Sequence, residues 1–324
     1  MRAVRVARHD GPSALEVADV DEPVAGAGQV LIDVKAAGVN FPDLLLTQNL
    51  YQYKPELPFV LGGELAGVVR TAPDGSGYSP GDRVVAMCGV GAFAEAVVAD
   101  VQTVFPLPDS VGFADGACLP VNYLTMTFAL QTRGGLKKGE TVLVHGAAGG
   151  IGTATIQLAS ALGARVISVV STREKAEFVT KLGSDAVVLA DGFKDAVRDL
   201  TGGAGVDMVV DPVGGDRFTD SLRSLAPLGR LLVIGFTAGD IPTVKVNRLL
   251  LNNIDVRGVG WGAYAGPREG YHRREWDEQL IPHVLSGVVD PPIAGTFGLD
   301  RVGEAIATLG ERGVLGKFIV DPQG

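Results

Sequence analysis

The sequence predicts an α/β protein in which a β-rich, barrel-like part accompanies a doubly wound parallel sheet. Three observations carry this. Residues 141–175, TVLVHGAAGGIGTATIQLASALGARVISVVSTREK, read as strand, glycine turn, helix and second strand. From there to about residue 259, short β-rich apolar runs alternate with helical periodicities, as crossover helices between parallel strands require. Residues 1–122 instead hold strand-like runs cut by Gly/Pro/Asp clusters, with little helical spacing. At 324 residues the chain can bury two cores, which suggests two domains.

In chain order, the first part predicts strands at 3–7, 29–36, 64–69, 83–87 and 92–98. Asp10-Gly11-Pro12 and Ser79-Pro80-Gly81-Asp82 punctuate them, and a short helical turn falls near 42–46. A helix over 122–131, NYLTMTFALQ, opens the second part. Strand 141–145 follows, then helix 151–162, with apolar Ile151, Ala154, Ile156, Leu158, Ala159 and Leu162 near helical spacing and Gly163 as its C-cap. Strand 165–170 comes next. Helices at 174–182, 193–200 and 218–224 then separate strands at 186–189, 206–210, 229–234 and 253–259. Beyond about 262 the pattern reverts. Helices at 273–286 and 300–312 precede a strand at 316–320 that could return to the first domain.

The turn after residue 145 has the frame Ala147-x-Gly149-x-x-Gly152, a dinucleotide fingerprint with alanine at the first glycine. Gly149 lets the backbone approach a pyrophosphate, Gly152 lets helix and strand pack closely, and the helix start at Gly150 and Ile151 offers N–H groups and a positive dipole end. A tight turn without ligand fits the same letters; the strand before and helix after favour nucleotide binding. Residues 141–164 carry no formal charge and are long enough to span a bilayer, but five glycines and polar Thr, Gln and Ser argue against a membrane segment.

Composition narrows the class further. A formal charge of −9 argues against a nucleic-acid partner. Two cysteines, Cys88 and Cys118, cannot frame a disulfide scaffold and point to a reducing compartment; both read as core residues, a reactive thiol being the other reading. The opening MRAVRVARHD has no apolar segment of a secretory signal, so a cytoplasmic protein is the expectation. His9, His145, His272 and His283 show no metal-ligand spacing.

Several stretches together resemble the zinc-independent NADPH:quinone oxidoreductase branch of the medium-chain dehydrogenase/reductase superfamily. They are AAGVNFPDLLL (36–46), LPFVLGGELAGVV (57–69), GDRVVA (81–86), GAAGGIGTATIQLASALGARVI (146–167), GVDMVVDPVGG (205–215), GRLLVIGF (229–236), RGVGWGAY (257–264) and GKFIV (316–320). The resemblance implies a GroES-like β-barrel substrate domain, residues 1–122 and 262–324, split around a doubly wound Rossmann domain, residues 123–261. It also implies NADPH as cofactor, a quinone or α,β-unsaturated carbonyl as substrate, and a homodimer. Zinc-dependent relatives place a ligating Cys and a His where this chain has Asn40 and Gly63, so no metal is expected.

The second strand of the sheet bears on the cofactor. An NAD-preferring fold ends it in Asp or Glu, but here Ser171, Arg173 and Lys175 offer a hydroxyl and two cations, which suits a 2′-phosphate. A solvated helix start is the plainer alternative. Lys175 falls on the family's phosphate-binding lysine; the tyrosine some members add on the next loop is missing from Ala190-Asp191-Gly192. By resemblance, Asn40 and Tyr51 are the catalytic candidates, with Asn40 also beside the nicotinamide. Tyr51 matches a Gly-x-Tyr loop in which Asn49 replaces the glycine, and Tyr53 is near enough to exchange roles. Asp43 is read as holding the loop. The resemblance adds Thr125, Gly235, Phe236, Trp261 and Lys317 as cofactor contacts, each with a packing or solvated alternative. Rival readings are an enoyl-thioester reductase and an NADPH-binding structural or regulatory protein with little turnover.

Overall fold

The computed structural model describes residues 1–311 and 313–324. It divides into two compact units, one formed by Met1–Val121, His272–Trp276 and Pro291–Gly324, the other by Asn122–Tyr271 and Asp277–Asp290. Residues 262–271 and 277–290, expected with the first domain, therefore cluster with the second unit.

In the first unit the long strand Gln29–Gly38 is the hub. It pairs antiparallel with Glu64–Thr71, with Ala96–Asp100 and with Lys317–Asp321. Lys317–Asp321 pairs in parallel with Ile293–Gly298, so the final strand does return to the N-terminal part. Glu64–Thr71 continues to Arg83–Met87 and Val104–Pro106. A second sheet joins Leu15–Asp19, Arg2–Val6 and Phe59–Val60. Alternating inward residues such as Val30, Ile32, Val34, Leu65, Val84 and Val97 make the core these sheets enclose. The strand expected at 92–98 is instead Ala96–Asp100. Ala92 and Phe93 spend their N–H groups on a distant loop: they donate to the Gly62 and Leu61 carbonyls. Four short strands, 15–19, 59–60, 104–106 and 293–298, carried too little apolar alternation to be foreseen.

In the second unit six parallel strands run in the order Ala186–Leu189, Arg165–Val170, Thr141–Val144, Val206–Asp211, Leu225–Val233 and Asp255–Gly258. The chain starts at the middle, walks to one edge, then crosses over and walks to the other. That reversal beside Thr141–Val144 is the switch point where α/β sheets bind ligands, outside the carboxyl ends of the strands. Val142, Leu143, Val144, Val209, Val210, Leu231 and Leu232 are all fully buried, as expected for strands covered on both faces.

Three expected helices differ in detail. The one opening the second part begins earlier, at Leu119–Thr127, and ends in a π-helical turn, Phe128–Arg133. The helix expected at 273–286 is three pieces: Tyr271–Arg274, a π-helical turn Glu275–Leu280, and Ile281–Leu285. Pro282 has no N–H to give the carbonyl one turn back, so the ladder breaks and restarts with proline in its first turn. The helix expected at 300–312 is Val302–Gly310; Arg312 lies outside the described residues.

Candidate active site

The first unit contributes a buried polar cluster around Asn40. This residue follows strand Gln29–Gly38 and caps helix Phe41–Thr47 in an extended conformation. Its backbone N–H donates to Asp43 Oδ2 at 2.7 Å. Its side-chain Nδ2 donates to Glu64 Oε1 at 2.6 Å and more weakly to the Gly38 carbonyl at 3.3 Å. Its Oδ1 accepts from Lys317 Nζ at 2.7 Å. Lys317 also pairs with Glu64, whose second oxygen accepts the Val121 backbone N–H at 2.7 Å. Asn40, Asp43, Glu64 and Lys317 are 7, 2, 0 and 5% exposed, so the network works without water's screening.

Burial pushes the Asp43 carboxyl from 3.8 up to about 7, against the Asn40 N–H and the Lys317 charge, with Glu64 adding to the rise. The Tyr51 phenol is raised too, first by burial and then by Asp43. Tyr51 packs partly buried on the core, and its hydroxyl has no hydrogen-bond partner among the described residues. Tyr53 is 52% exposed. Asn49, standing where the family's loop has glycine, has a left-handed φ of 56°, a conformation asparagine tolerates better than most residues. Lys54 Nζ donates to its carbonyl at 2.7 Å and its Oδ1 at 2.9 Å. Burial lifts the thiols of Cys88 and Cys118 to about 12, so neither is a ready thiolate.

The second unit contributes the fingerprint turn. Strand Thr141–Val144 ends at His145, and helix Gly150–Ala161 begins behind Gly149 with no side chain capping it. An added Cβ at Gly149 would find only the Gly146 carbonyl oxygen, at 3.6 Å, whereas one at Gly152 would strike the backbone of Gly146 and Ala147. Gly149 thus keeps the approach open and Gly152 makes the turn compact. Ala147 is fully buried, while Gly150 and Ile151 are partly accessible at the helix start. Ser171 and Arg173, both exposed, and the half-buried Lys175 gather at the carboxyl end of the next strand; Lys175 Nζ donates to Ser171 Oγ at 3.3 Å, and Thr172 caps the helix between them.

Gly235 and Phe236 lie in the loop after strand Leu225–Val233, where Thr237 N–H holds the Pro212 carbonyl at 3.1 Å. Thr125 is partly buried in helix Leu119–Thr127. Trp261, 8% exposed, is a packed residue that opens helix Trp261–Ala265. His145 is structural: Ser221 Oγ–H donates to the Arg217 carbonyl and accepts from His145 Nε2 at 2.8 Å, and burial lowers the ring to about 4, keeping it neutral.

The fold therefore gathers the sequence candidates in two sets. Asn40 and Lys317 meet directly in the first unit, with Tyr51 on the loop that follows the helix Asn40 caps. Ala147, Gly149, Gly150, Ile151, Ser171, Arg173, Lys175, Gly235 and Phe236 sit at the carboxyl ends of parallel strands in the second. Lys317, for which a solvated position was one reading, is instead buried. Glu64 was missed. Its signal was a lone acid opening the apolar run LAGVV of a central strand, a place where a charge needs a partner.

Residues 26–109 match the family model described as alcohol dehydrogenase GroES-like domain, and residues 150–284 match zinc-binding dehydrogenase. Quinone oxidoreductase-like protein 2 of Rattus norvegicus is 37% identical over 310 residues, covering 94% of this chain and 88% of that protein. The chain belongs to the quinone oxidoreductase branch of the medium-chain dehydrogenase/reductase superfamily. Members of this branch are oxidoreductases, and the two-part architecture of a GroES-like domain and a Rossmann sheet is theirs. A crystal structure of a probable oxidoreductase from Mycobacterium abscessus superposes with a TM-score of 0.91 at 46% identity, covering 99% of both chains. That of Escherichia coli quinone oxidoreductase complexed with NADPH superposes with a TM-score of 0.92 at 27% identity, covering 99% of this chain and all of that one.

Proposed function

We propose that this chain reduces a quinone or an α,β-unsaturated carbonyl with NADPH and without a metal. The observation that carries the reading is the turn at residues 146–152. It pairs an open approach at Gly149 with an uncapped helix start, and Ser171, Arg173 and Lys175 stand at the neighbouring strand end with no acid at that position. Gly149, Gly150 and Ile151 would hold the pyrophosphate, and Ser171, Arg173 and Lys175 the 2′-phosphate. The family resemblance assigns Thr125, Gly235, Phe236 and Trp261 to the nicotinamide half. Bound there, NADPH supplies the hydride.

The remaining chemistry belongs to the protein. Charge developing on the substrate oxygen needs a donor, and the Tyr51 hydroxyl is the uncommitted one beside the Asn40 cluster. Tyr51 would donate a hydrogen bond to that oxygen and, for an alkene, pass its proton to the enolate. The donor set supports a metal-free site. Position 40 is an amide already bonded to Lys317 and Glu64, position 63 has no side chain, and no group of three or more His, Cys, Asp or Glu among the described residues is arranged to hold an ion. No helix among the described residues is long and apolar enough to cross a membrane.

A homodimer through the edge strand Asp255–Gly258 completes the reading; Leu228, Leu250 and Leu251 nearby are 79, 77 and 73% exposed. A stable monomer in sedimentation at micromolar concentration would contradict that part. The function itself is tested by NADPH oxidation against quinones, enals and enoyl thioesters. Turnover with quinones or enals supports the proposal. Turnover confined to thioesters selects the carrier-substrate reading, and none with any class selects the non-enzymatic one.

A further inference from the structure

We propose that Lys317 and Glu64 are the positioning residues of this site, a buried cation–carboxylate latch that fixes the Asn40 amide and the loop leading to Tyr51. The residues come from three distant parts of the chain; Lys317 and Asn40 are 277 positions apart. Lys317 opens strand Lys317–Asp321, Glu64 opens Glu64–Thr71, and both pair with the end of Gln29–Gly38, Glu64 opposite Gly38 and Ile319 opposite the same residue from the other side. The ends of three strands are thus closed over one ion pair.

Gly38 shows that the space is built for it. An added Cβ there would meet Glu64 Oε1 at 2.6 Å, Lys317 Cε at 2.7 Å and the Ala117 carbonyl at 2.6 Å. Its glycine is required for room, since its φ is not in the left-handed region. The lysine stem and the carboxylate pass directly over its backbone.

Every polar arm of the latch ends on a backbone or side-chain partner. Glu64 receives Lys317, the Asn40 amide and the Val121 N–H. Val121 is the third residue of helix Leu119–Thr127, so this carboxylate satisfies one of the donors a helix start leaves open and meets the positive end of the helix. Asn40 spends its oxygen on Lys317 and its nitrogen on Glu64 and the Gly38 carbonyl. An amide held at both ends is a strut and has little left to offer a substrate. Through the Asn40 N–H to Asp43, the latch is continuous with helix Phe41–Thr47, which runs into the loop bearing Tyr51. Lys317, assigned to the cofactor by resemblance, then acts through Asn40 and touches no ligand.

The kinetic arm rests on the function proposed above; the exchange arm does not. Lys317→Met, Glu64→Gln and the double variant are compared with the wild type as full-length protein. The readouts are melting temperature, NADPH Kd by fluorescence titration, kcat with a quinone and an enal, and amide hydrogen exchange over residues 40–51. Each single variant leaves one charge buried alone and lowers the melting temperature; the double variant regains most of that loss. In all three, exchange over residues 40–51 accelerates by about tenfold or more, NADPH Kd stays within about twofold, and kcat falls by about ten- to a hundredfold because Tyr51 is misplaced. A Kd raised about tenfold by Lys317→Met at unchanged kcat makes Lys317 a cofactor contact and overturns the proposal. Unchanged exchange over 40–51 in the folded double variant also overturns it. If the wild type turns over no substrate, the functional reading fails separately and the exchange result alone decides this one.

Discussion

Asp43→Asn should change how stability depends on pH. Asp43 is 2% exposed and its carboxyl is raised from 3.8 to about 7 by burial. The groups that face it are Lys317, which opposes the rise, Glu64, which adds to it, and Tyr51 and Cys88, which titrate well above neutrality. A carboxyl whose pKa is higher folded than unfolded holds its proton more tightly in the fold. The stability this confers is complete below about pH 4 and is lost as pH rises through about 7. A pKa difference of about three sets a ceiling of about 4 kcal/mol at 1.36 kcal/mol each. Relaxation around the charged form takes up part of it, and half the ceiling moves the melting temperature by about 4–8 °C for a unit of this size. Asparagine keeps an oxygen for the Asn40 N–H and cannot ionise. Melting of both proteins is followed by calorimetry from pH 5 to 8. The variant should gain several degrees on the wild type across that range, the gain accruing steadily from pH 5 to about 7 and levelling off above it. A constant difference at all pH values would refute the buried, neutral-leaning Asp43.

Three further outcomes are expected. Gly149→Ala should fold with an unchanged melting temperature but bind NADPH at least about tenfold more weakly, because its methyl enters the pyrophosphate approach; Gly152→Ala should cost about 1–3 kcal/mol of stability, because its methyl meets loop backbone. Arg173→Ala with Lys175→Ala should abolish a preference for NADPH over NADH of about tenfold or more, measured as the ratio of Kd values, since a charge-assisted contact contributes about 1.5–3 kcal/mol. Tyr51→Phe should slow an enone by about 10²-fold and a quinone only a few-fold in kcat/KM, since a hydroquinone anion needs little protonation; Tyr53→Phe, at an exposed residue, should do neither.

The Rossmann half was legible because its signals are local. Thr141 to Val144 is an uninterrupted apolar strand, Gly149 and Gly152 stand three apart at the turn, and the next helix has regular apolar spacing, so neighbouring letters determine the structure. The Asn40 cluster was readable only in part. Asn40 could be singled out at the position of a lost metal ligand, but its partners Glu64 and Lys317 reach it through strand pairing, and no pattern around Lys317 distinguishes a buried lysine from a solvated one. The strand at 92–98 was misplaced by similar long-range bonds, since Ala92 and Phe93 donate to the loop at 61–62. The helix at 273–286 carried its own warning in Pro282, where the ladder breaks and restarts.

Direct transfer of hydride from NADPH without a metal is tested most directly by isotope transfer in chelator-treated protein. NADPH deuterated at C4 on the transferred face is incubated with an enone, and the product is analysed by mass spectrometry and NMR. Deuterium at the β-carbon, formed at the same rate before and after metal removal, is the predicted result. Label appearing in water, or activity lost on chelation and restored by added zinc, would contradict it.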